Sequence, residues 1–441
     1  MSLAERIKFL LKSKAKISVF DKKNLSDLDI GLFNKTKARF ITGEKYLSEG
    51  LQKFDIIFRS PGVYRYLPEI IRAERKGVNI SSAIKLFFDL CPAKIIGVTG
   101  TKGKGTTSTL IYKILKKAGF DVYLAGNIGL PPLRLLDKLK KSSWVVLELS
   151  SFQLIDLDKS PNVSVVLNIT IDHMDWHKDR REYLRAKQNI VRYQRKKDIS
   201  VINYDFVTSR SFARYTKGKV YYFSRKNKVL GSYVREKNQI VLNEGKKERT
   251  IGLTKNLLLK GEHNWENVTA AVCASRVVGA NVRVIKKVVF SFKGLEHRLE
   301  LVRSIRGRAF YNDSFSTNPQ TTIAAVNSFF EPIVLILGGS DKGLEYEGMS
   351  KHIVKRRNVK SIVLIGQIAD QLEKSLRKAK YTGEVRNLGK TTMAAIIKET
   401  MRLAQKGDVV LLSPASASFG MFNDYKDRGS QFKRSAMSLE I

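Results

Sequence analysis

Short apolar runs alternate with amphipathic stretches along almost the whole chain. The runs Lys94–Thr99, Val122–Ala125, Trp144–Leu149 and Val163–Ile169 predict buried strands, as do Ala309–Asn312, Ile333–Leu337, Ser361–Ile365 and Val409–Leu412. Helical spacing falls between them, at Thr107–Ala118 (closed by Gly119), Arg180–Gln194 and from about Asn264 to Val278. This alternation predicts an α/β fold on mostly parallel sheets. The N-terminal part predicts a helix over Leu3–Leu11, a strand over Lys16–Phe20 ending at Asp21, and a strand over Phe54–Phe58 that runs into Ser60-Pro61-Gly62. Residues 220–252 read as β-hairpins that insert into or decorate the middle segment. The pattern places domain boundaries near 93 and 297, giving segments 1–93, 94–297 and 298–441. No solenoid or propeller period and no low-complexity tract interrupts it.

Composition narrows the class. A chain of 441 residues with 43% apolar content is globular and long enough for several cores. Two cysteines make no disulfide framework and fit a reducing, cytoplasmic setting. The opening MSLAERIKFLLKSKAK lacks the apolar region of a secretory signal, and no run is long enough for a membrane span. The net charge of +39 would draw nucleic acid, anionic lipid or phosphorylated small molecules. Its lysines and arginines are spread over polar helix faces and no nucleic-acid-binding motif accompanies them, so no specific nucleic acid is expected as a partner.

The sharpest local signal is Ile96-Gly97-Val98-Thr99-Gly100-Thr101-Lys102-Gly103-Lys104-Gly105-Thr106-Thr107, a buried strand running through glycines, a lysine and hydroxyls into a helix. Glycines let backbone N–H groups curl around phosphate oxygens, and the helix N-terminus adds partial positive charge. Lys104 would reach the outer phosphates of ATP and a hydroxyl would ligate Mg²⁺. The spacing is not a strict Walker A: Gly105 stands where Ser or Thr follows the lysine, which moves the Mg²⁺ hydroxyl to Thr106.

Two later strands add candidate ligands. Trp144–Leu149 is apolar until Glu148 and is followed by Ser150-Ser151. A carboxylate at the end of a parallel strand faces the ligand crevice and suits a hard cation. The next strand ends in Asn168-Ile169-Thr170-Ile171-Asp172-His173, which brings His173 to the same sheet edge as a candidate for a second metal or a phosphate. Taken singly, Glu148, His173 and Lys187 also fit a solvated glutamate, a structural histidine and a surface lysine.

Together the stretches GVTGTKGKGTT, AGNIGLPPL, VVLELSSFQL, NITIDHMDWH, GEHNWENVTAA, GLEHRLE, YNDSFSTNP, LGGSDKG and LSPASASFGMFNDYKDRGSQF resemble the Mur ligases, in order and spacing through residues 90–435. The pair LELSSFQL and LSPASASF…RGSQF is similar to the members of the family that add D-glutamate. The resemblance implies three domains: a Rossmann-like N-terminal domain lacking its first strand, a P-loop central ATPase domain and a Rossmann-like C-terminal domain. It implies a cytoplasmic, monomeric enzyme of peptidoglycan precursor synthesis that uses ATP and two Mg²⁺ ions. That enzyme would join D-glutamate to UDP-N-acetylmuramoyl-L-alanine through an acyl phosphate.

Carried over by motif, the loop Gly100, Thr101, Lys102, Gly103, Lys104, Gly105, Thr106 and Thr107 holds the nucleotide phosphates. Thr106, Glu148, His173 and a carbamylated Lys187 hold metal. Asn264 and Asn267 line the adenine pocket, and Arg298 and Asp313 contact the nucleotide. Asp21, Ser60, Asn127 and Ser151 touch the muramoyl substrate. Lys342, Ser418, Thr317 and the backbone near Tyr425 form the D-glutamate pocket. Asn264 equally fits a helix cap and Asp313 a turn.

The sequence departs from the family pattern at Gly105, at Phe315 (where lysine is frequent) and at Gly420 (where aspartate is frequent); at the N-terminus, Ser2-Leu3-Ala4 is expected to match the end of the strand and glycine turn with which family members begin. Gly105 keeps a folylpolyglutamate-type ligase, or another Mur ligase, as the alternative. A nucleic-acid-binding protein and a non-catalytic scaffold are readings of a different class.

Overall fold

The structure is a computed structural model that describes residues 15–28, 38–48, 50–170, 172, 174 and 176–440. The predicted helix Leu3–Leu11 lies outside the described residues. The chain forms two compact units, one taking in the chain up to Asn256 together with Trp265–Phe290, the other Leu257–Asn264 together with the chain from Ser291 onward.

The first unit opens with β1 (Ser18–Asp21), β2 (Arg39–Thr42), β3 (Ile56–Arg59) and β4 (Asn79–Ser82), which pair in parallel as β1–β2 and β3–β4. Next come β5 (Lys94–Thr99), β6 (Val122–Gly126), β7 (Trp144–Glu148), β8 (Val163–Val166), β9 (Ile199–Asn203), β10 (Lys219–Ser224), β11 (Gly231–Arg235), β12 (Gln239–Asn243) and β13 (Glu248–Leu253). They form one nine-stranded sheet in the order β13-β12-β11-β10-β9-β8-β5-β7-β6. Pairing is parallel from β6 through β11 and antiparallel at β11–β12 and β12–β13. The expectation of hairpins over 220–252 therefore needs correction at its start. β10 continues the parallel sheet from β9, and only β11–β13 turn back on one another.

β5 sits between β8 and β7, and every residue of it after Lys94 is buried. Such a strand reads as an unbroken apolar run because helices cover both faces of a parallel sheet. Other boundaries moved for identifiable reasons. β8 stops at Val166, not Ile169, because the next residues turn to the neighbouring loop: Asn168 O accepts from Thr101 N at 2.7 Å. The helix predicted over Thr107–Ala118 spans Lys104–Lys117, because Gly103, at φ 84°, supplies the N-cap. β1 begins two residues later than predicted and takes in Asp21, paired with Thr42.

The second unit carries β14 (Glu300–Ile305), β15 (Arg308–Asn312), β16 (Ile333–Gly339), β17 (Val359–Gly366), β18 (Glu384–Gly389) and β19 (Val409–Leu412) in the order β14-β15-β19-β16-β17-β18. All pairs are parallel except β14–β15. Strand alternation splits its core in two. Leu335, Leu337 and Leu411 join one apolar cluster, while Val334, Ile336, Val410 and Leu412 join the other. Among the described residues no helix is long and apolar enough to cross a membrane.

Candidate active site

In the first unit the chain leaves β5 at Thr99, turns through Gly100–Gly103 and enters the helix Lys104–Lys117. The segment after β8 flanks this loop. Thr101 N donates to Asn168 O, Lys102 N donates to Asn168 Oδ1 at 3.2 Å, and Thr101 Oγ1 donates to Thr170 O at 3.1 Å. Gly103 is glycine for two reasons: its φ is 84°, and a Cβ there would stand 2.1 Å from Asn267 Oδ1. Its neighbour Asn267 is buried on the helix His263–Val278 and accepts from Thr107 Oγ1 at 3.3 Å.

No side chain caps this helix. An α-helix offers no internal acceptor to the N–H groups of its first turn, here Lys104, Gly105 and Thr106. These groups, the backbone cradle without a Cβ and the Lys104 ammonium fit a polyphosphate. Lys104 Nζ donates to Gly100 O and Thr101 O, both at 3.0 Å, so it is folded back over the loop. Thr107 is fully buried and bonded to Asn267, whereas Thr106 is partly exposed and its hydroxyl has no hydrogen-bond partner among the described residues. The hydroxyl open to a ligand is therefore that of Thr106.

Lys187, on the helix Arg180–Arg192, is 2% exposed. Its Nζ donates to Gly100 O at 3.0 Å and lies 3.4 Å from Thr99 Oγ1, which donates to Leu149 O at 2.9 Å. Burial, reinforced by Lys104 nearby, holds its pKa well below the ordinary lysine value. Glu148 is buried at the end of β7, paired with Val98 of β5 on one side and Gly126 of β6 on the other. Asn127 follows β6 at the same edge, exposed, its N–H donating to Glu148 O at 3.3 Å. The loop, Glu148, Asn127 and Lys187 thus gather at the carboxyl edge of the parallel strands. His173 lies outside the described residues.

Ser151 begins the short helix Ser151–Leu154, whose N-cap Ser150 forms a capping box with Gln153. Ser151 is buried and bonded to a residue that the sequence reading missed. His177 Nε2 lies 2.9 Å from Ser151 Oγ, and His177 Nδ1 lies 2.9 Å from Glu182 Oε1. The imidazole stacks on Phe152 and meets Trp176 and Tyr183 edge-on. Burial and the Glu182 carboxylate push the Tyr66 phenol up, and that phenol hydrogen-bonds to Glu182. Asp179 caps the helix by accepting from Glu182 N at 2.8 Å, which fixes Glu182 within reach of His177, but the link from His177 to Ser151 spans distant sequence.

Asp21 ends the short strand β1, and Ser60 follows β3. Asp21 Oδ1 accepts from Lys23 N at 2.9 Å, and Ser60 O accepts from Arg59 and from Val63 N. Beside Ser60 the buried Arg59 forms an ion pair with Asp156 at 2.6 Å, and Arg65 pairs with the other oxygen at 3.0 Å. Breaking such a buried pair from one side costs about 3–5 kcal/mol.

In the second unit Asp313 follows β15 and is buried. Ser316 Oγ and Ser413 Oγ donate to its Oδ2 at 2.5 and 2.8 Å, and Leu299 N donates to Oδ1 at 3.1 Å. Burial outweighs these donors and pushes its pKa up to about 6. The Arg298 guanidinium lies 3.8 Å over the Phe315 ring, and the Tyr425 ring meets Phe315 edge-on at 5.1 Å. Ser418 is buried after β19, Lys342 is exposed after β16 and Thr317 is partly exposed after β15. Asp313, Thr317, Lys342 and Ser418 follow the carboxyl ends of neighbouring parallel strands, and Arg298, just before the antiparallel β14, lies at the same edge. Arg428, the arginine of the RGSQF motif, to which the sequence alone assigns no role, is buried among them, donating to Ser314 Oγ and O at 2.9 Å and to Ser416 O at 3.2 Å. Asn264, of this unit, donates to Lys260 O at 2.7 Å and so ties down the turn before its own helix.

These features define a mixed α/β protein with large, parallel-rich sheets and candidate ligand-binding residues at their carboxyl edges. The family model for the Mur ligase middle domain matches residues 98–275, and that for the Mur ligase glutamate ligase domain matches 297–416. The chain belongs to the Mur ligase family. It is 43% identical to the UDP-N-acetylmuramoylalanine–D-glutamate ligase of Acetivibrio thermocellus, over 98% of this chain and 94% of that one. It is 41% identical to the enzyme of the same name from Symbiobacterium thermophilum, over 89% and 86%. Among solved structures it resembles MurF from Acinetobacter baumannii (TM-score 0.62, 16% identity, 88% of this chain and 93% of that one). It also resembles the UDP-N-acetylmuramate-alanine ligase from Thermotoga maritima (TM-score 0.59, 18% identity, 91% and 89%). At those identities the structures bear on the fold alone.

Proposed function

We propose that this chain is an ATP-dependent ligase that joins D-glutamate to UDP-N-acetylmuramoyl-L-alanine in peptidoglycan precursor synthesis. The observation that carries this reading is 43% identity, over 98% of the chain, to a relative named for that reaction. On this reading the central segment is a P-loop domain flanked by two Rossmann-like domains. The protein acts in the cytoplasm as a monomer.

The terminal carboxylate oxygen of the muramoyl-alanine substrate attacks the γ-phosphorus of ATP, and ADP leaves. The amine of D-glutamate then adds to the acyl carbon of the acyl phosphate. The tetrahedral adduct expels phosphate, the nitrogen loses a proton and an amide remains. No protein nucleophile is needed, since phosphoryl transfer runs on positioning and charge neutralisation. Lys104 and the first-turn N–H groups bind and orient the phosphates. Asn127 and Ser151 hold the muramoyl substrate at the same sheet edge. Asn264 and Asn267 serve the adenine, and Arg298 and Asp313 the nucleotide. Lys342, Ser418, Thr317 and the backbone near Tyr425 receive D-glutamate, with Asp21 and Ser60 serving the uridine part.

Thr106, Glu148, His173 and Lys187 are the residues that would hold two Mg²⁺ ions. The donor set fits a hard cation, because Thr106 offers an open hydroxyl and Glu148 a carboxylate beside the loop. Bound there, Mg²⁺ would neutralise the charge that develops on the phosphate oxygens. Lys187 fits as a ligand once carbamylated. Burial favours its neutral amine, the form that adds to carbon dioxide, and the product is an anion with two oxygens.

Phosphate release tests the reading. It is expected with ATP, UDP-N-acetylmuramoyl-L-alanine and D-glutamate together, and not when L-lysine or diaminopimelate replaces D-glutamate. Release only with a folate and L-glutamate would replace the proposal with the folylpolyglutamate alternative.

A further inference from the structure

Phe315 is a large apolar side chain that remains 38% exposed at the carboxyl edge of the six-stranded sheet. Its backbone is pinned on both sides: Phe315 N donates to His297 O at 3.0 Å, and the preceding Ser314 donates from Oγ to Tyr425 O at 2.8 Å. The Tyr425 ring braces it edge-on, leaving the Arg298 guanidinium 3.8 Å over its face.

The segment carrying Arg298 is held just as firmly. His297 and Leu299, on either side of it, both take positive φ, 63° and 44°. That backbone is strained for a residue with a side chain. Leu299 N donates to the buried Asp313, and Arg298 N donates to Leu295 O at 3.2 Å. Two strained residues, a buried carboxylate and an exposed aromatic ring therefore converge on one cation.

We propose that Phe315 is a positioning residue that holds the Arg298 guanidinium flat across its ring and so presents it to an oxyanion of a substrate. A guanidinium stacked on an aromatic face keeps its N–H donors in its own plane, where they can grip a carboxylate or phosphate in a bidentate fashion. The ring does the work that a second cation would otherwise share, without adding charge. The proposal rests on the ligase reading for the identity of the substrates, a nucleotide phosphate or the amino-acid carboxylate.

The test compares Phe315→Leu, which keeps apolar bulk but removes the π face, with Phe315→Trp, which keeps the face. Arg298→Lys and the double variant Phe315→Leu/Arg298→Lys complete a cycle in the full chain. Phe315→Leu is expected to raise one KM by roughly two- to fivefold, the size of an exposed cation–π contact, with kcat and melting temperature near the parent values. Phe315→Trp is expected to match the parent, and the double variant to lose little beyond Arg298→Lys alone. A rise confined to the KM of ATP assigns the oxyanion to phosphate, and one confined to the KM of D-glutamate assigns it to carboxylate. If the parent shows no turnover with the proposed substrate pair, the ligase reading fails. The same cycle is then read by calorimetry with ATP and with D-glutamate. Identical constants for Phe315→Leu and the parent, or fully additive effects in the cycle, overturn the proposal.

Discussion

His177 Nε2 and Ser151 Oγ lie 2.9 Å apart, both buried, with Glu182 2.9 Å from the other ring nitrogen. An ionised carboxylate can only accept, so Nδ1 carries a proton, and in the neutral ring Nε2 then accepts from the Ser151 hydroxyl. His177→Ala leaves the serine and the carboxylate without their buried partner. Each orphaned group costs about 1–3 kcal/mol. Urea unfolding is expected to show a lower midpoint at unchanged slope, with Ser151→Ala losing less than His177→Ala. Equal midpoints for parent and His177→Ala would show that the contact carries no stability.

Gly103→Ala meets two obstacles that can be separated. The left-handed backbone costs about 1–2 kcal/mol whatever surrounds it. The new Cβ also collides with Asn267 Oδ1, 2.1 Å away. The single variant is expected to lose nucleotide affinity by calorimetry and to melt lower. Adding Asn267→Ala relieves the collision but not the backbone strain, so the double variant should recover part of the melting temperature.

Asp313 has a pKa near 6 in the fold against an ordinary 3.8, because burial outweighs its three donors. Between those values the folded chain keeps a proton that the unfolded chain has released. Its contribution is thus fully present below about 3.8 and is lost as pH rises through about 6, at ~1.4 kcal/mol per unit. Asp313→Asn removes that loss. It is expected to match the parent near pH 4 and to exceed it by up to roughly 3 kcal/mol above pH 7. A stability difference independent of pH would contradict the shift. Ligation by this variant is expected to fall, since the amide cannot take the charge of the carboxylate.

Lys187 shifts the other way. Burial, then Lys104, disfavours the charged amine and lowers its pKa well below the ordinary value. From its lowered pKa up to the ordinary 10.5 the unfolded chain binds the extra proton, so this group makes stability rise with pH. Lys187→Met is expected to flatten that slope by about 1.4 kcal/mol per unit. Carbon-13 bicarbonate should give the parent, and not this variant, a carbamate resonance; a parent spectrum without one counts against carbamylation.

Burial on both faces made some strands legible from sequence, although β9, buried after Ile199, was not predicted. β5, whose residues after Lys94 are all buried, was read to the residue. β18 was missed because it is an edge strand with Glu384, Arg386 and Asn387 exposed. Charge on an edge blocks further pairing, and it erases the apolar signal. β14 was missed because its antiparallel return to β15 follows no βα rhythm. At the site, the loop was legible because glycine, lysine and hydroxyl at fixed spacing have a mechanism of their own. His177 was not, because its role comes from Ser151, a contact across distant sequence. Asn264 was read for adenine, and its side chain in this structure binds Lys260 O.

Arg428 has a consequence for how this basic protein responds to salt. Its guanidinium is fully buried, and each of its hydrogen bonds among the described residues goes to a serine hydroxyl or a carbonyl oxygen. Burial lowers its pKa to about 9, which leaves it charged at neutral pH. The +39 carried mostly on the surface is screened within ~8 Å at physiological ionic strength. Counter-ions cannot reach Arg428. Rising salt should therefore slow the arrival of anionic substrates while leaving the bonds of Arg428 to Ser314 and Ser416, and the sheet edge they tie together, unscreened.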